Sequence, residues 1–164
     1  MVQRTVRAST SAKLRPSSAQ IAGRAATANV TELAAGTYTA GATFAGDTMY
    51  EAAGPSTAAF TVTQKATTTT YTGALTGGPN KTIVLSATLV DASVKPLAGR
   101  TIAFVLGSQA ASATSDASGV ASTSLKLTQK NGTYPLTATY VPAGQDVAEY
   151  LGSAASATFK LQSK

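Results

Sequence analysis

The sequence predicts an all-β fold, built as an antiparallel β-sandwich. Three observations support this. Apolar and polar residues alternate with a period of two along several short segments, Gly, Pro, Asn and Asp cluster between these segments, and no stretch of useful length has the 3.6-residue period of a helix. Several short strands at this spacing are typical of two antiparallel sheets packed face to face.

The strands are predicted mainly in the second part of the chain. The β-branched run 67–72 forms a leading strand, followed by strands over 82–90, 100–106, 121–127 and 133–140 and a short last strand with Phe159 and Leu161. In the longer strands, every second residue is expected to point into the core: Ile83, Leu85, Ala87 and Leu89; Ile102, Phe104 and Leu106; Ala121, Thr123, Leu125 and Leu127; Tyr134, Leu136, Ala138 and Tyr140.

Turn signals separate these segments. They lie at 77–80, 95–99, 116–119 and 131–132, where Gly, Pro, Asn and Asp are concentrated. At the third of these turns, Asp116 is predicted to cap the turn and Gly119 to supply the backbone freedom that it needs.

The chain contains an internal repeat. Residues 23–38 align with 119–134 at a constant offset of 96, and this alignment places Gly36-Thr37-Tyr38 on Gly132-Thr133-Tyr134. Nothing in the first copy corresponds to residues 66–96 of the second. We therefore expect an incomplete repeat over 1–64, with its leading strands missing and residues 1–18 poorly ordered, followed by one complete domain over 65–164.

The order of the segments 89–107, 114–127 and 131–140 resembles the bacterial immunoglobulin-like repeat domains of secreted and surface-anchored proteins. Segment 33–53 resembles the last part of the same repeat, including a Gly-Asp-x-x-Tyr turn at Gly46, Asp47 and Tyr50. The resemblance implies an immunoglobulin-like Greek key and a structural role as an extracellular or cell-surface spacer or stalk. Its implied partners are neighbouring repeats of the same parent protein, and it implies no catalytic residue and no cofactor.

Two other functions stay open at this stage. One is a ligand- or carbohydrate-binding module of an adhesin or of a secreted carbohydrate-active enzyme, with contacts from the loops 91–99, 107–119 and 141–150. The other is an immunoglobulin-like decoration domain of a phage virion, which has the same fold.

Composition excludes several functions. The chain has no His and no Cys, which excludes a disulfide, thiolate or imidazole metal ligands and a Ser-His-Asp triad. Apolar stretches are far shorter than the roughly 18 residues that span a membrane, and the first 24 residues contain no apolar run of the kind found in signal peptides. Enzymatic activity is not expected.

Charge is concentrated in the leading residues. Five of the 13 basic residues precede the first acidic residue, Glu32: Arg4, Arg7, Lys13, Arg15 and Arg24. No basic run is interleaved with aromatic residues, so nucleic-acid binding is not expected. Asp146 and Glu149 share a predicted loop and are weak candidates for calcium ligands, since calcium needs six to eight oxygen atoms.

Tyr38 and Tyr134 each follow a Gly-Thr pair at the start of a predicted strand. We interpret both as tyrosine corners, in which the ring packs in the core and the hydroxyl donates to backbone upstream. The alternative is an exposed ring that stacks on sugars.

Overall fold

A computed structural model describes residues 4–8, 18–22, 25–27, 33–44, 46 and 48–163. The chain divides into two compact units, Met1–Thr63 and Gln64–Lys164, here called unit 1 and unit 2. The described residues of both units are mostly β-strand, in largely antiparallel sheets. No helix in these described ranges is long and apolar enough to cross a membrane.

Unit 1 contains one five-stranded antiparallel sheet among its described residues. Its strands are β1 (Arg4–Ala8), β2 (Ser18–Ala22), β3 (Ala25–Thr27), β4 (Gly36–Phe44) and β5 (Ala53–Val62), in the order β3-β2-β1-β4-β5. Poor order was expected for residues 1–18. Within that range the structure describes β1, which pairs with β4, and the first residue of β2; the rest of the range lies outside the described residues.

Unit 2 contains two sheets. Its elements are β6 (Thr67–Tyr71), β7 (Thr76–Gly77), β8 (Thr82–Asp91), β9 (Thr101–Leu106), β10 (Gln109–Thr114), β11 (Val120–Lys126), β12 (Gly132–Tyr140), α1 (Asp146–Glu149) and β13 (Ser153–Leu161). One sheet has the order β10-β9-β12-β13-β7 and the other β11-β8-β6. All pairings are antiparallel except that of β7 with β13, which is parallel.

The two sheets of unit 2 enclose one hydrophobic core, as in an antiparallel β-sandwich. The predicted alternation is confirmed along β8, β9 and β12, where inward side chains are buried and outward ones more exposed. The largest fully buried side chains come from both sheets: Leu85, Leu89 and Leu127 on one side, and Ile102, Phe104, Leu106, Leu136, Phe159 and Leu161 on the other.

The prediction of a loop over 107–119 is wrong in part, because this segment contains strand β10. Gly107, with a φ of 55°, turns the chain directly after β9, and β10 then pairs along the whole length of β9. Its inward residues include Ala111 and Ala113, which are too small and weakly apolar to mark a strand in the sequence. The loop over 141–150 contains α1, a single turn of helix.

Candidate functional site at the leading end of unit 2

Residues 64–67, the leading segment, are hydrogen-bonded to the loop 141–152 that joins β12 to β13. The backbone N–H of Lys65 donates to the carbonyl of Glu149 at 2.7 Å, and the N–H of Leu151 donates back to the carbonyl of Lys65 at 2.8 Å. The side chains of Gln64 and Thr67 donate to the carbonyls of Val147 at 2.5 Å and Leu151 at 2.7 Å. We call this end of the sandwich, where β6 begins, the leading end.

Two ion pairs lie in the same region. The ammonium of Lys65 is 3.1 Å from Oε1 of Glu149, with both side chains about half exposed (56% and 51%). The guanidinium of Arg100 donates to Oδ1 of Asp146 at 2.6 Å, and the hydroxyl of Tyr140 donates to Oδ2 of the same carboxylate at 3.1 Å. The second pair is more buried, so water screens it less.

The ring of Tyr150 is buried between these two cations. Nζ of Lys65 is 5.7 Å from the ring centroid and Cζ of Arg100 is 5.9 Å from it. Both distances are within the range in which a cation is attracted to the ring face. The aromatic ring thus connects the leading segment, the residue before β9 and the loop 141–152.

The ionisable groups respond to these contacts. The hydrogen bond with Glu149 raises the pKa of Lys65, and the same bond lowers the pKa of Glu149. Burial, followed by the hydrogen bond to Asp146, raises the pKa of the Tyr140 hydroxyl to about 12. Each shift favours the protonation state that this network needs at neutral pH.

The arrangement is suited to holding backbone segments together. Asp146 and Glu149, the candidate calcium ligands, each have a cationic partner, Arg100 and Lys65. In the part of the chain that the structure describes, no three metal-ligating side chains form a group that could hold an ion.

Tyr38 and Tyr134 occupy equivalent places in the two units. The hydroxyl of Tyr38 donates to the carbonyl of Ala34, and that of Tyr134 to the carbonyl of Lys130, both at 2.7 Å and both four residues upstream. Glycine precedes each tyrosine by two positions. A Cβ at Gly36 or Gly132 would lie 3.6 or 3.4 Å from the tyrosine ring, an ordinary van der Waals distance, so each ring packs directly over the glycine of its own strand.

Asp116 and Gly119 lie in the turn before β11. Oδ1 of Asp116 accepts hydrogen bonds from the backbone N–H groups of Ser118 at 2.8 Å and Val120 at 3.0 Å, and Gly119 has a φ of 75°. Asp91, which the sequence did not single out, makes the same kind of turn with Ser93 and Lys95. Asp47 lies outside the described residues.

Sequence reasoning missed Lys65, Arg100, Tyr140 and Tyr150 as members of one cluster. Tyr150 lies 85 positions from Lys65 and 50 from Arg100 in the sequence. No local motif connects positions so far apart, and only the closing of the sandwich brings them together.

Neither a scan against protein-family models nor a search of curated proteins finds a match for this chain. The immunoglobulin-like resemblance therefore depends on the residues quoted for it.

Proposed function

We propose that the chain is a piece of a tandem immunoglobulin-like repeat protein and that unit 2 serves as a structural spacer in a bacterial extracellular or cell-surface protein. One observation carries the proposal. The chain begins unit 2 beside the loop 141–152 and ends it at the opposite end of the sandwich, where Gln162 donates to the carbonyl of Gly77. A module whose termini lie at opposite ends extends the chain by its own length.

The strand arrangement of unit 2 supports an immunoglobulin-like Greek key. The chain passes from the three-stranded to the five-stranded sheet between β8 and β9, returns between β10 and β11, and crosses again to β12. Immunoglobulin-like sandwiches divide their strands between two sheets in this way, and a tyrosine at the start of the second-last strand is one of their hallmarks. Tyr134 has that position and that hydrogen bond.

The pairing of β4 with β5 supports the repeat. Gly36 pairs with Val62 and Tyr38 with Phe60; in unit 2, Gly132 pairs with Leu161 and Tyr134 with Phe159. In each hairpin, the Gly-Thr-Tyr strand therefore places its tyrosine opposite a phenylalanine. We infer that both hairpins are the last two strands of the same repeat.

The leading segment favours a spacer over a flexible tether. A Gly- or Ser-rich linker behaves as a random coil, whereas residues 64–67 are bonded to unit 2 through backbone and side chains alike. This fixes the direction in which the chain enters the sandwich.

Pulling the full chain by its two ends in a single-molecule force experiment tests the spacer role. The parallel pairing of β7 with β13 and of Lys65 with Tyr150 loads several hydrogen bonds at once when the ends are drawn apart. We expect unit 2 to stay folded until one distinct rupture, which releases roughly 3.3–3.6 Å per residue.

Gln64→Ala with Thr67→Ala removes the side-chain hydrogen bonds of Gln64 to Val147 and of Thr67 to Leu151 and Ser153, and should lower the rupture force. Ser122→Ala, on the outer face of β11, is the matched control and should leave the force unchanged. Smooth lengthening of the unaltered chain, with no separate rupture, would contradict the proposal.

A further inference from the structure

Charge is unevenly distributed between the two ends of unit 2. All four of its acidic residues lie at the leading end: Asp91, Asp116, Asp146 and Glu149. The other end, where β13 finishes, is here called the trailing end. It has four exposed lysines and no acidic residue among the described residues: Lys81, Lys126, Lys130 and Lys160.

The strand register brings these lysines together. Lys126 pairs with Thr82, the neighbour of Lys81, and the N–H of Leu127 donates to the carbonyl of Lys81 at 2.8 Å. Lys160 pairs with Thr76 on one side and Thr133 on the other, and Lys130 lies in the turn that leads into β12. The four lysines therefore all lie at one end of the sandwich, with Lys126 on the outer face of the three-stranded sheet and Lys160 on the outer face of the five-stranded sheet.

None of these lysines takes part in an ion pair within the described parts of the chain. Both ion pairs found there, Lys65 with Glu149 and Arg100 with Asp146, are at the leading end. Four positive charges without carboxylates nearby create a positive potential that attracts anions. When no anion is bound, the four charges repel one another.

A cavity of about 530 Å³ opens at the trailing end beside Lys81. Its lining includes the Lys81 side chain, the hydroxyl-bearing residues Thr76 and Ser163, and the amide-bearing Gln162, and Gly77 and Gly78 form part of its wall. Gln162 and Ser163 are exposed, and Ser163 accepts a hydrogen bond from the amide of Asn131. The cavity thus combines one ammonium group with neutral donors and acceptors, and the other three lysines lie outside it at the same end of the sandwich.

We propose that the trailing end of unit 2 is a docking surface for an anionic polysaccharide, a polymer that bears both carboxylates and hydroxyls. The lysines pair with the carboxylates as point charges, and the amide of Gln162 and the hydroxyls of Thr76 and Ser163 bond the sugar hydroxyls. A nucleic-acid partner is less well matched, because the chain has no Trp and the cavity lining has no aromatic ring on which bases would stack. The proposal adds a binding role and does not depend on the spacer function.

The test measures binding of the full chain to polygalacturonate at moderate salt. Replacement of Lys81, Lys126, Lys130 and Lys160 by Gln should weaken binding about tenfold, the effect of four exposed charge contacts. The matched control replaces Arg4, Arg7, Lys13 and Arg15 by Gln, which removes the same charge from the leading residues of the chain; it should change affinity less than about twofold.

Gln162→Ala keeps every charge and removes one exposed amide. It therefore distinguishes a specific binding site from nonspecific electrostatic attraction. It should weaken binding to polygalacturonate and leave the circular dichroism unchanged. Neutral dextran should not bind.

Three outcomes would overturn the proposal. They are no binding to polygalacturonate, equal losses in the two charge variants, and equally tight binding of double-stranded DNA with the same loss in the Lys-to-Gln variant. The last result would assign the surface to polyanions in general.

Discussion

The hairpins β4–β5 and β12–β13 have the same local design but different environments. Each begins with Gly-Thr-Tyr, folds its tyrosine hydroxyl back to a carbonyl four residues upstream, and places a phenylalanine opposite that tyrosine. Phe159 is fully buried, whereas Phe60 is 38% exposed and stacks on Tyr38 at a ring distance of 5.6 Å.

The difference comes from the second sheet. In unit 2 the sheet β11-β8-β6 covers the inner face of β12 and β13 with Leu85, Leu89 and Leu127. The described strands of unit 1 form a single sheet, and nearly every residue of β5 is exposed. Local sequence is thus sufficient to specify a hairpin, while burial of its inner face depends on residues far away in the chain.

The largest expected effect is on the two phenylalanines. Phe159→Ala leaves a cavity in a closed core and should lower the free energy of unfolding of unit 2 by about 3–5 kcal/mol. Phe60→Ala removes a ring that is already partly in water and should cost about 1 kcal/mol. Hydrogen exchange followed by mass spectrometry reports on each hairpin separately, and equal losses in the two hairpins would contradict the comparison.

The second prediction concerns the cover over β12–β13. A Cβ at Gly119 would lie 2.5 Å from the carbonyl oxygen of Leu89, in a backbone with a φ of 75°. Gly119→Ala should therefore cost about 2–4 kcal/mol, because the turn that leads into the covering strand β11 must shift away from β8. The rate of amide hydrogen exchange should then rise in β12–β13 and stay unchanged in β4–β5.

Gly99→Ala is the matched control for this change. Its φ is 74°, but nothing lies within 4 Å of the added Cβ, so only the backbone strain of about 1 kcal/mol remains. If chemical denaturation shows that the two substitutions lower the free energy of unfolding equally, the close approach to Leu89 does not contribute to the effect.

The third prediction addresses the shared feature. Tyr38→Phe and Tyr134→Phe each remove one hydroxyl hydrogen bond and should cost about 1 kcal/mol, measured by urea denaturation with hydrogen exchange. Similar costs would strengthen the equivalence of the two hairpins. If only Tyr134→Phe lowers stability, the hydroxyl hydrogen bond stabilises its hairpin only where a second sheet covers it.

The smallest effect at neutral pH is expected at the ends of β4 and β12. Tyr140 ends β12, and its pKa is raised from 10.0 to about 12, so its hydroxyl stabilises unit 2 fully below pH 10. This contribution is lost as the pH rises through about 12. Phe44 ends β4 and has no ionisable group.

Ultraviolet absorbance of tyrosinate measures this directly. The difference in tyrosinate absorbance between the unaltered chain and Tyr140→Phe should have its titration midpoint near pH 12. A midpoint near 10 would mean that neither burial nor the contact with Asp146 raises the pKa of this hydroxyl.

Much of unit 2 follows from local sequence. The alternation in β8, β9 and β12 predicts which side chains are buried, because a strand exposes its two faces at a period of two. Strand β10 escaped prediction because Ala and Ser give little contrast between its faces. The cluster around Tyr150 escaped because its members are joined only by the folded chain.

The sequence by itself determined the strands β8, β9, β11 and β12 with their inward faces, the turn at Asp116 and Gly119, and the tyrosines near the start of β4 and β12. These depend on interactions within a few residues, where steric limits on the backbone and short hydrogen bonds act directly. The tertiary structure alone decided that Phe159 is buried and Phe60 is not, that Lys65 and Arg100 meet at Tyr150, and that four lysines share the trailing end. Burial and charge proximity depend on which distant strands become neighbours, and a local sequence pattern does not specify this.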